Sequence, residues 1–341
     1  MSILNCFNNN KYSTYYNKDT KKLFLPNNFS DDIKSKNFPK DVEEIEFDTG
    51  TPLILNESFN KSIDDLPDTI KILSLSYGFN QVIKKLPNNL IKLILGNVYN
   101  QPLDEKIIPH TLEYIEFGHK YNQSINNLPS TIKHLTIGYR YTVEITRFPD
   151  SLESLEIRGN YPFSLKNIPN TLRTLKIGYI YDKSLDDLPN SITHLILDNR
   201  EIILTKFPTS LTHLELLSGF KQKIGCYVHE QDKFMIPEGI THLTLGDSFK
   251  HSIDDLPKSI KYLKLGYGFN QSLDNLPPNV EEIIIDEYFT IKTSNLPSSI
   301  QKITVRKEIQ KELFTKLPFG CEIVVMPTNR VIHRVGGIRC G

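Results

Sequence analysis

The sequence predicts a mainly β repeat solenoid, with one short parallel strand in each coil of about 20 residues and an irregular or 3-10 convex return without long helices. Three observations carry this. An apolar residue followed by proline recurs from Leu66-Pro67 to Leu317-Pro318, and most of these steps are 20 residues apart. Apolar side chains stand three, six and eight positions after each proline, as in Ile70, Leu73 and Leu75 or Ile192, Leu195 and Leu197. The 341 residues include no tryptophan and no alanine, so the best helix former is missing while Ile, Leu, Tyr, Phe and Thr, which suit strands, are plentiful.

Each part of the coil follows from that spacing. The last two apolar residues of each trio are separated by one position, so both point to one side of a strand, and that side is the core. About 12 residues remain for the return, holding the proline and, in many units, a glycine (Gly96, Gly118, Gly138, Gly178, Gly246, Gly266) that is expected to turn the chain. A return this short accommodates turns or one 3-10 turn but no multi-turn helix, which places successive strands side by side and parallel. An aromatic stands 12 residues after the proline in most units, from Phe79, Tyr99 and Tyr121 to Phe269 and Phe289. Because it recurs in phase with the aliphatic positions, it is expected to fill the core opposite the strands and not to form a nucleobase platform. The pairs Asp64-Asp65, Asp186-Asp187 and Asp254-Asp255 occupy one slot before Leu-Pro, where bonding to turn backbone explains them better than catalysis or calcium.

Taken in order, residues 1–38 lack a clear period and are expected to form an N-terminal cap with a mobile start, residues 39–305 the solenoid, and residues 306–341 a C-terminal cap and basic tail. A hairpin turning at Asp48 to Thr51 is expected to close the first coil. The step from Pro208 to Pro237 is 29 residues long, so residues 221–235, which include Cys226 and His229, form an insertion and a secondary candidate contact. After Pro297 the pattern decays into KEIQKELFTKL, a possible short helix, then CEIVVMP, a last strand, and a tail in which Arg330, His333, Arg334 and Arg339 cluster.

Composition excludes several functions. Lys plus Arg and Asp plus Glu are both 40, so no overall basic excess points to nucleic acid or an anionic membrane. No apolar run reaches membrane-spanning length and no secretory leader is visible, which leads to an expected cytoplasmic, non-secreted protein. Cys6, Cys226, Cys321 and Cys340 are scattered and expected to be reduced. Nucleotide-binding, nucleophile-elbow and zinc-protease strings are absent, so no enzyme activity and no cofactor are expected.

What remains is the outward strand face. His134, His194, His213 and His242 each stand five residues after a proline, and the last three fall on consecutive strands, where neighbouring rings would approach within ~5 Å. This row is a weak metal or pH-sensitive candidate, since no acidic residue or cysteine completes a ligand set. Tyr114, Tyr262, Lys92, Lys176, Lys264, Glu116, Glu156 and Glu215 share the face, and mixed charge with tyrosine suits a protein partner better than a phosphate. The expected contact residues are therefore Tyr114, His134, His194, His213, His242, Tyr262 and Lys264. On the same logic His242→Ala is expected to change stability by less than ~0.5 kcal/mol.

The units YGFNQVIKKLPNNLIKLILG and YGFNQSLDNLPPNVEEIII resemble the FNIP repeat, a leucine-rich-repeat relative, over about residues 53 to 305. The resemblance implies a leucine-rich-repeat-like solenoid of the kind found in giant viruses of amoebae and in dictyostelid amoebae. Some members carry an N-terminal F-box linking them to a ubiquitin ligase, but residues 1–38 lack its Leu-Pro opening and amphipathic helices. The expectation is a monomeric, non-enzymatic scaffold binding a protein partner, a host protein being one candidate, without nucleic acid or membrane. Substrate recognition for a host ubiquitin ligase is the alternative.

Overall fold

A computed structural model describes residues 15–26, 29–48, 58–199, 203–225 and 233–335. It divides into two compact units, Met1–Phe163 with Asn167–Leu172, and Ser164–Lys166 with Arg173–Gly341. Each is a parallel β-solenoid, as the period predicts.

The N-terminal unit holds β1 (Tyr16–Asn17), β2 (Lys22–Leu25), β3 (Glu44–Phe47), β4 (Ile72–Ser74), β5 (Lys92–Ile94), β6 (Tyr114–Glu116), β7 (His134–Ile137) and β8 (Ser154–Ile157). β1 pairs antiparallel with β2, and from β2 to β8 every neighbour is parallel and in sequence order. Parallel pairing thus starts inside the segment expected to be a cap. The expected hairpin at Asp48 to Thr51 lies largely outside the described residues.

The C-terminal unit holds β9 (Thr174–Ile177), β10 (His194–Leu197), β11 (His213–Leu216), β12 (Lys223–Gly225), β13 (Lys233–Met235), β14 (His242–Leu245), β15 (Tyr262–Leu265), β16 (Glu282–Ile284), β17 (Lys302–Val305), β18 (Glu322–Val325) and β19 (Arg330–Arg334). The main ladder runs β9, β10, β11, β14 to β18, all parallel, with β19 antiparallel on β18. β12 and β13 pair with each other, so the insertion closes on itself and β14 still sits beside β11. Cys226 and His229 lie outside the described residues. The KEIQKELFTKL segment forms a 3-10 turn, Glu308–Leu313, not an α-helix. Arg330 and Arg334 of the expected basic tail lie on β19 and are taken up internally by Glu308 and Glu322.

Two turns build each coil. The N–H three residues after the proline donates to the proline carbonyl, as Ile70 to Pro67 and Ile260 to Pro257 at 3.2 and 3.3 Å. The aromatic closes the second turn, as Tyr99 to Gly96 and Phe269 to Gly266, both at 3.1 Å. Between the turns, Leu73 and Leu75, Leu155 and Ile157, or Leu263 and Leu265 enter the core, all 3% exposed or less. The aromatic column is buried with them. In the N-terminal unit Phe79, Tyr99, Tyr121, Tyr141 and Tyr161 succeed one another at centroid spacings of 5.9, 6.0, 6.3 and 6.2 Å, and in the C-terminal unit Phe220, Phe249, Phe269 and Phe289 do so at 6.2, 6.4 and 6.3 Å.

A tyrosine in this column buries a hydroxyl. Those of Tyr99 and Tyr121 have no hydrogen-bond partner among the described residues, and burial pushes both phenols up. Removing an unpaired buried polar atom relieves its desolvation cost, so Tyr121→Phe is expected to stabilise the protein by ~1 kcal/mol in thermal unfolding. A clear loss would instead mean that the hydroxyl is satisfied.

Polar side chains join one coil to the next. Asn60 Oδ1 accepts from the Asn80 N–H, Asn80 from Asn100, and Asn100 from Asn122, at 2.9, 2.8 and 2.8 Å. Of the aspartates expected to bond turn backbone, Asp64 Oδ1 accepts from the backbone of Lys84 and Lys85 and Asp186 Oδ1 from Thr205 and Lys206, and Asp274, outside the three pairs, does the same with Ser294 and Asn295. Those backbone donors hold the Asp274 carboxyl below the usual carboxylate range. Side-chain to backbone bonding is as expected, but its target is the following coil, because stacked turns present unpaired N–H groups about one strand spacing away.

Candidate interaction face

On every strand the residues between the core positions point outward. In the N-terminal unit Lys92, Tyr114 and His134 are partners in register on β5, β6 and β7. Lys92 Nζ lies 4.3 Å from the Tyr114 ring centroid, and the Tyr114 and His134 centroids are 5.8 Å apart with planes at 35°. The Tyr114 hydroxyl donates to Glu116 Oε2 at 3.2 Å. Burial first, then the Glu116 charge, raise the Tyr114 pKa. Arg158 holds Glu116 at 2.6 Å and reaches Glu156 at 3.3 Å. Beside them opens a concavity of ≈ 510 Å³ whose lining includes Glu44, Glu46, Ser74, Lys92, Glu116 and Arg158. Arg158 escaped the sequence reading because it lies just past its strand.

In the C-terminal unit His194, His213, His242 and Tyr262 are register partners on β10, β11, β14 and β15. Their centroids are 4.0, 3.9 and 4.2 Å apart and adjacent planes differ by 18°, 15° and 17°. The rings are stacked more closely than their strands. All three histidines are half-buried, Tyr262 is 37% exposed and Lys264, two residues on, is exposed. His134, in the other unit, has only its Tyr114 contact among these residues.

The threonine before each of the three histidines holds its ring through Nδ1. Thr193, Thr212 and Thr241 Oγ1 each lie 2.9 Å from the following histidine's Nδ1. The same hydroxyls lie 3.3 Å from the carbonyls of Arg173, Thr193 and Thr212. Each of these carbonyls also accepts from two backbone N–H groups of the next strand, so the threonine hydroxyl joins an existing ladder contact and holds the adjacent ring in place. Partial burial, then the neighbouring imidazoles, push the His213 pKa down to about 4, and burial also lowers that of His242, so both are neutral at pH 7. The Thr-His dipeptide, present three times, is the sequence signal for this arrangement.

Among the described residues, no three or more His, Cys, Asp or Glu side chains are grouped to hold a metal ion, and no helix is long and apolar enough to cross a membrane. Cys321 is buried, and burial raises its thiol to about 11, which suits packing and not reactivity. Stacked coils with a sealed core and a row of outward side chains define a leucine-rich-repeat-like β-solenoid, a class that is generally non-enzymatic and generally binds protein partners.

Comparison with known proteins agrees with that class. The FNIP Repeat model matches residues 79–120, 121–160 and 230–268. CroV588, a novel circular leucine-rich-repeat protein, is similar in structure with a TM-score of 0.59 at 26% identity. The match covers 89% of this chain and 56% of CroV588, so the chain spans just over half the length of that neighbour. The leucine-rich-repeat-containing protein LegL7 from Legionella pneumophila is 16% identical over 73% of this chain and 87% of its own, with a TM-score of 0.37. No curated protein matches significantly.

Proposed function

We propose that the protein is a non-enzymatic scaffold that binds another protein through its outward strand faces, and that it acts in the cytoplasm of an amoebal cell. The observation that carries this is the continuous row His194, His213, His242 and Tyr262, with Lys264 beside it, which the core leaves facing outward. Rigid aromatic rings flanked by charge suit a protein contact because little conformational entropy is lost on docking. Tyr114 and His134 offer a second patch on the N-terminal unit. The amoebal setting rests on the FNIP repeats.

The test compares wild type with a Tyr262→Ala, Lys264→Glu double variant in pull-downs from amoebal lysate, followed by affinity measurement with the purified captured protein. The expected result is at least a ~tenfold loss of affinity, with thermal unfolding lowered by no more than the ~1 kcal/mol that the lost stack on His242 accounts for. Equal retention by both proteins would remove this face as the contact. Recovery of ubiquitin-ligase subunits would specify the role as substrate recognition.

A further inference from the structure

We propose that the outward face of the C-terminal unit accepts a polyproline-II segment that carries one basic and one acidic residue three positions apart. The proposal rests on the protein-binding reading and names the chemistry of the partner.

Two rows run side by side across the strands. One is the ring row, His194, His213, His242 and Tyr262. The other stands two residues further along each strand, on the same face: Ile196, Glu215, Thr244, Lys264 and Ile284 are successive register partners.

The second row leaves two charges without a counterion. Elsewhere on the ladder of this unit, Glu282 is held by Lys302 at 2.6 Å and Glu322 by Arg334. Neither Glu215 nor Lys264 has an ion-pair partner among the described residues. They do not pair with each other either: the short side chain of Thr244 stands between them, and two ladder steps set their strands ~10 Å apart. The half-buried Ile196 and Ile284 close the row at its two ends.

The occupant follows from that spacing. A polyproline-II helix repeats every three residues with a rise of ~3.1 Å each, so residues i and i+3 share a face ~9 Å apart. Same-face residues of an extended β segment lie ~7 or ~14 Å apart, and neither spacing spans Glu215 to Lys264. A basic side chain at i pairs with Glu215 and an acidic one at i+3 with Lys264. The prolines between them rest against the closely stacked rings. Proline against aromatic side chains is the recurring contact for such segments, and a ligand already extended in solution loses little conformational entropy on docking.

The experiment measures fluorescence anisotropy of dye-labelled synthetic peptides with the full chain. Pro-Pro-Lys-Pro-Pro-Glu-Pro-Pro is compared with its two-lysine and two-glutamate counterparts. Wild type is expected to bind the mixed peptide at least ~5-fold more tightly than either counterpart, because each of those replaces one attraction with a repulsion. Reversing one charge should switch the choice: Lys264→Glu then prefers the two-lysine peptide, and Glu215→Lys the two-glutamate peptide. A preference that ignores both reversals, or no binding of the mixed peptide by wild type at ~1 mM, overturns the proposal. So does tighter binding of a helical peptide with Lys and Glu seven residues apart, ~10.5 Å, which assigns the face to a helix. Self-association of the chain that either reversal abolishes assigns it to a second copy and likewise overturns the proposal. The protein-binding reading survives any of these results if the partner captured from lysate is still lost on the Tyr262→Ala, Lys264→Glu double variant.

Discussion

Gly138→Ala is expected to destabilise the N-terminal unit by ~3 kcal/mol, the upper part of the usual overpacking range. A Cβ at Gly138 would lie 1.9 Å from the Gly118 carbonyl oxygen and 2.7 Å from its carbon, both backbone atoms that cannot swing aside. The same column continues below, where a Cβ at Gly118 would meet the Gly96 oxygen at 2.2 Å and one at Gly96 the Ser76 oxygen at 1.9 Å. Neither Gly96, Gly118 nor Gly138 has a positive φ. These glycines were expected to turn the chain, yet the demand on them is space: the coils stack so closely here that the backbone of the preceding coil occupies the Cβ position. Denaturant unfolding of Gly138→Ala checks this. Wild-type stability would show that neighbouring coils can separate freely.

Leu263→Ala is the second large effect, a loss of ~2–5 kcal/mol. Leu263 is 2% exposed on β15, flanked in register by Leu243 and Ile283, and it enters a core in which every neighbouring coil repeats the same apolar set. Truncation leaves a cavity that stacked coils cannot collapse around without breaking their ladder bonds. Thermal and denaturant unfolding of Leu263→Ala beside His242→Ala separates core from face. The face is less inert than the sequence suggests: His242 is sandwiched between His213 at 3.9 Å and Tyr262 at 4.2 Å. The expected cost of His242→Ala thus rises from under ~0.5 to ~1 kcal/mol, since close aromatic pairs add to area burial. Leu263→Ala should still cost at least twice as much. Equal small effects would invert the assignment of inner and outer strand positions.

Much of the fold was legible because one error-prone local inference is repeated many times. A single SIKYLKLG is ambiguous between strand and buried helix, but the trio Ile260, Leu263 and Leu265 recurs behind a proline in coil after coil, and the period settles which residues are inside. The proline carbonyl that opens each turn and the aromatic that closes the next are likewise local features. Less legible were bonds between coils. Asn80 gives no sign in sequence that its side chain caps the Asn100 N–H and its own N–H meets Asn60, and Asp274 reads as an ordinary turn residue although it serves Ser294 and Asn295.

The candidate face shows the same division. That His194, His213 and His242 occupy equivalent outward positions follows from the sequence alone, because side-chain direction alternates along a strand and each histidine is five residues from its proline. That His242 neighbours His213 across a 29-residue interval also follows from the period and is borne out by the ladder; only the tertiary structure decided that the rings stack face to face at 3.9 and 4.0 Å and that each is held at Nδ1 by the preceding threonine. The reason is physical: a repeat period places each Cβ, but ring orientation and hydrogen-bond direction depend on groups one coil away, which become neighbours only when the parallel ladder forms.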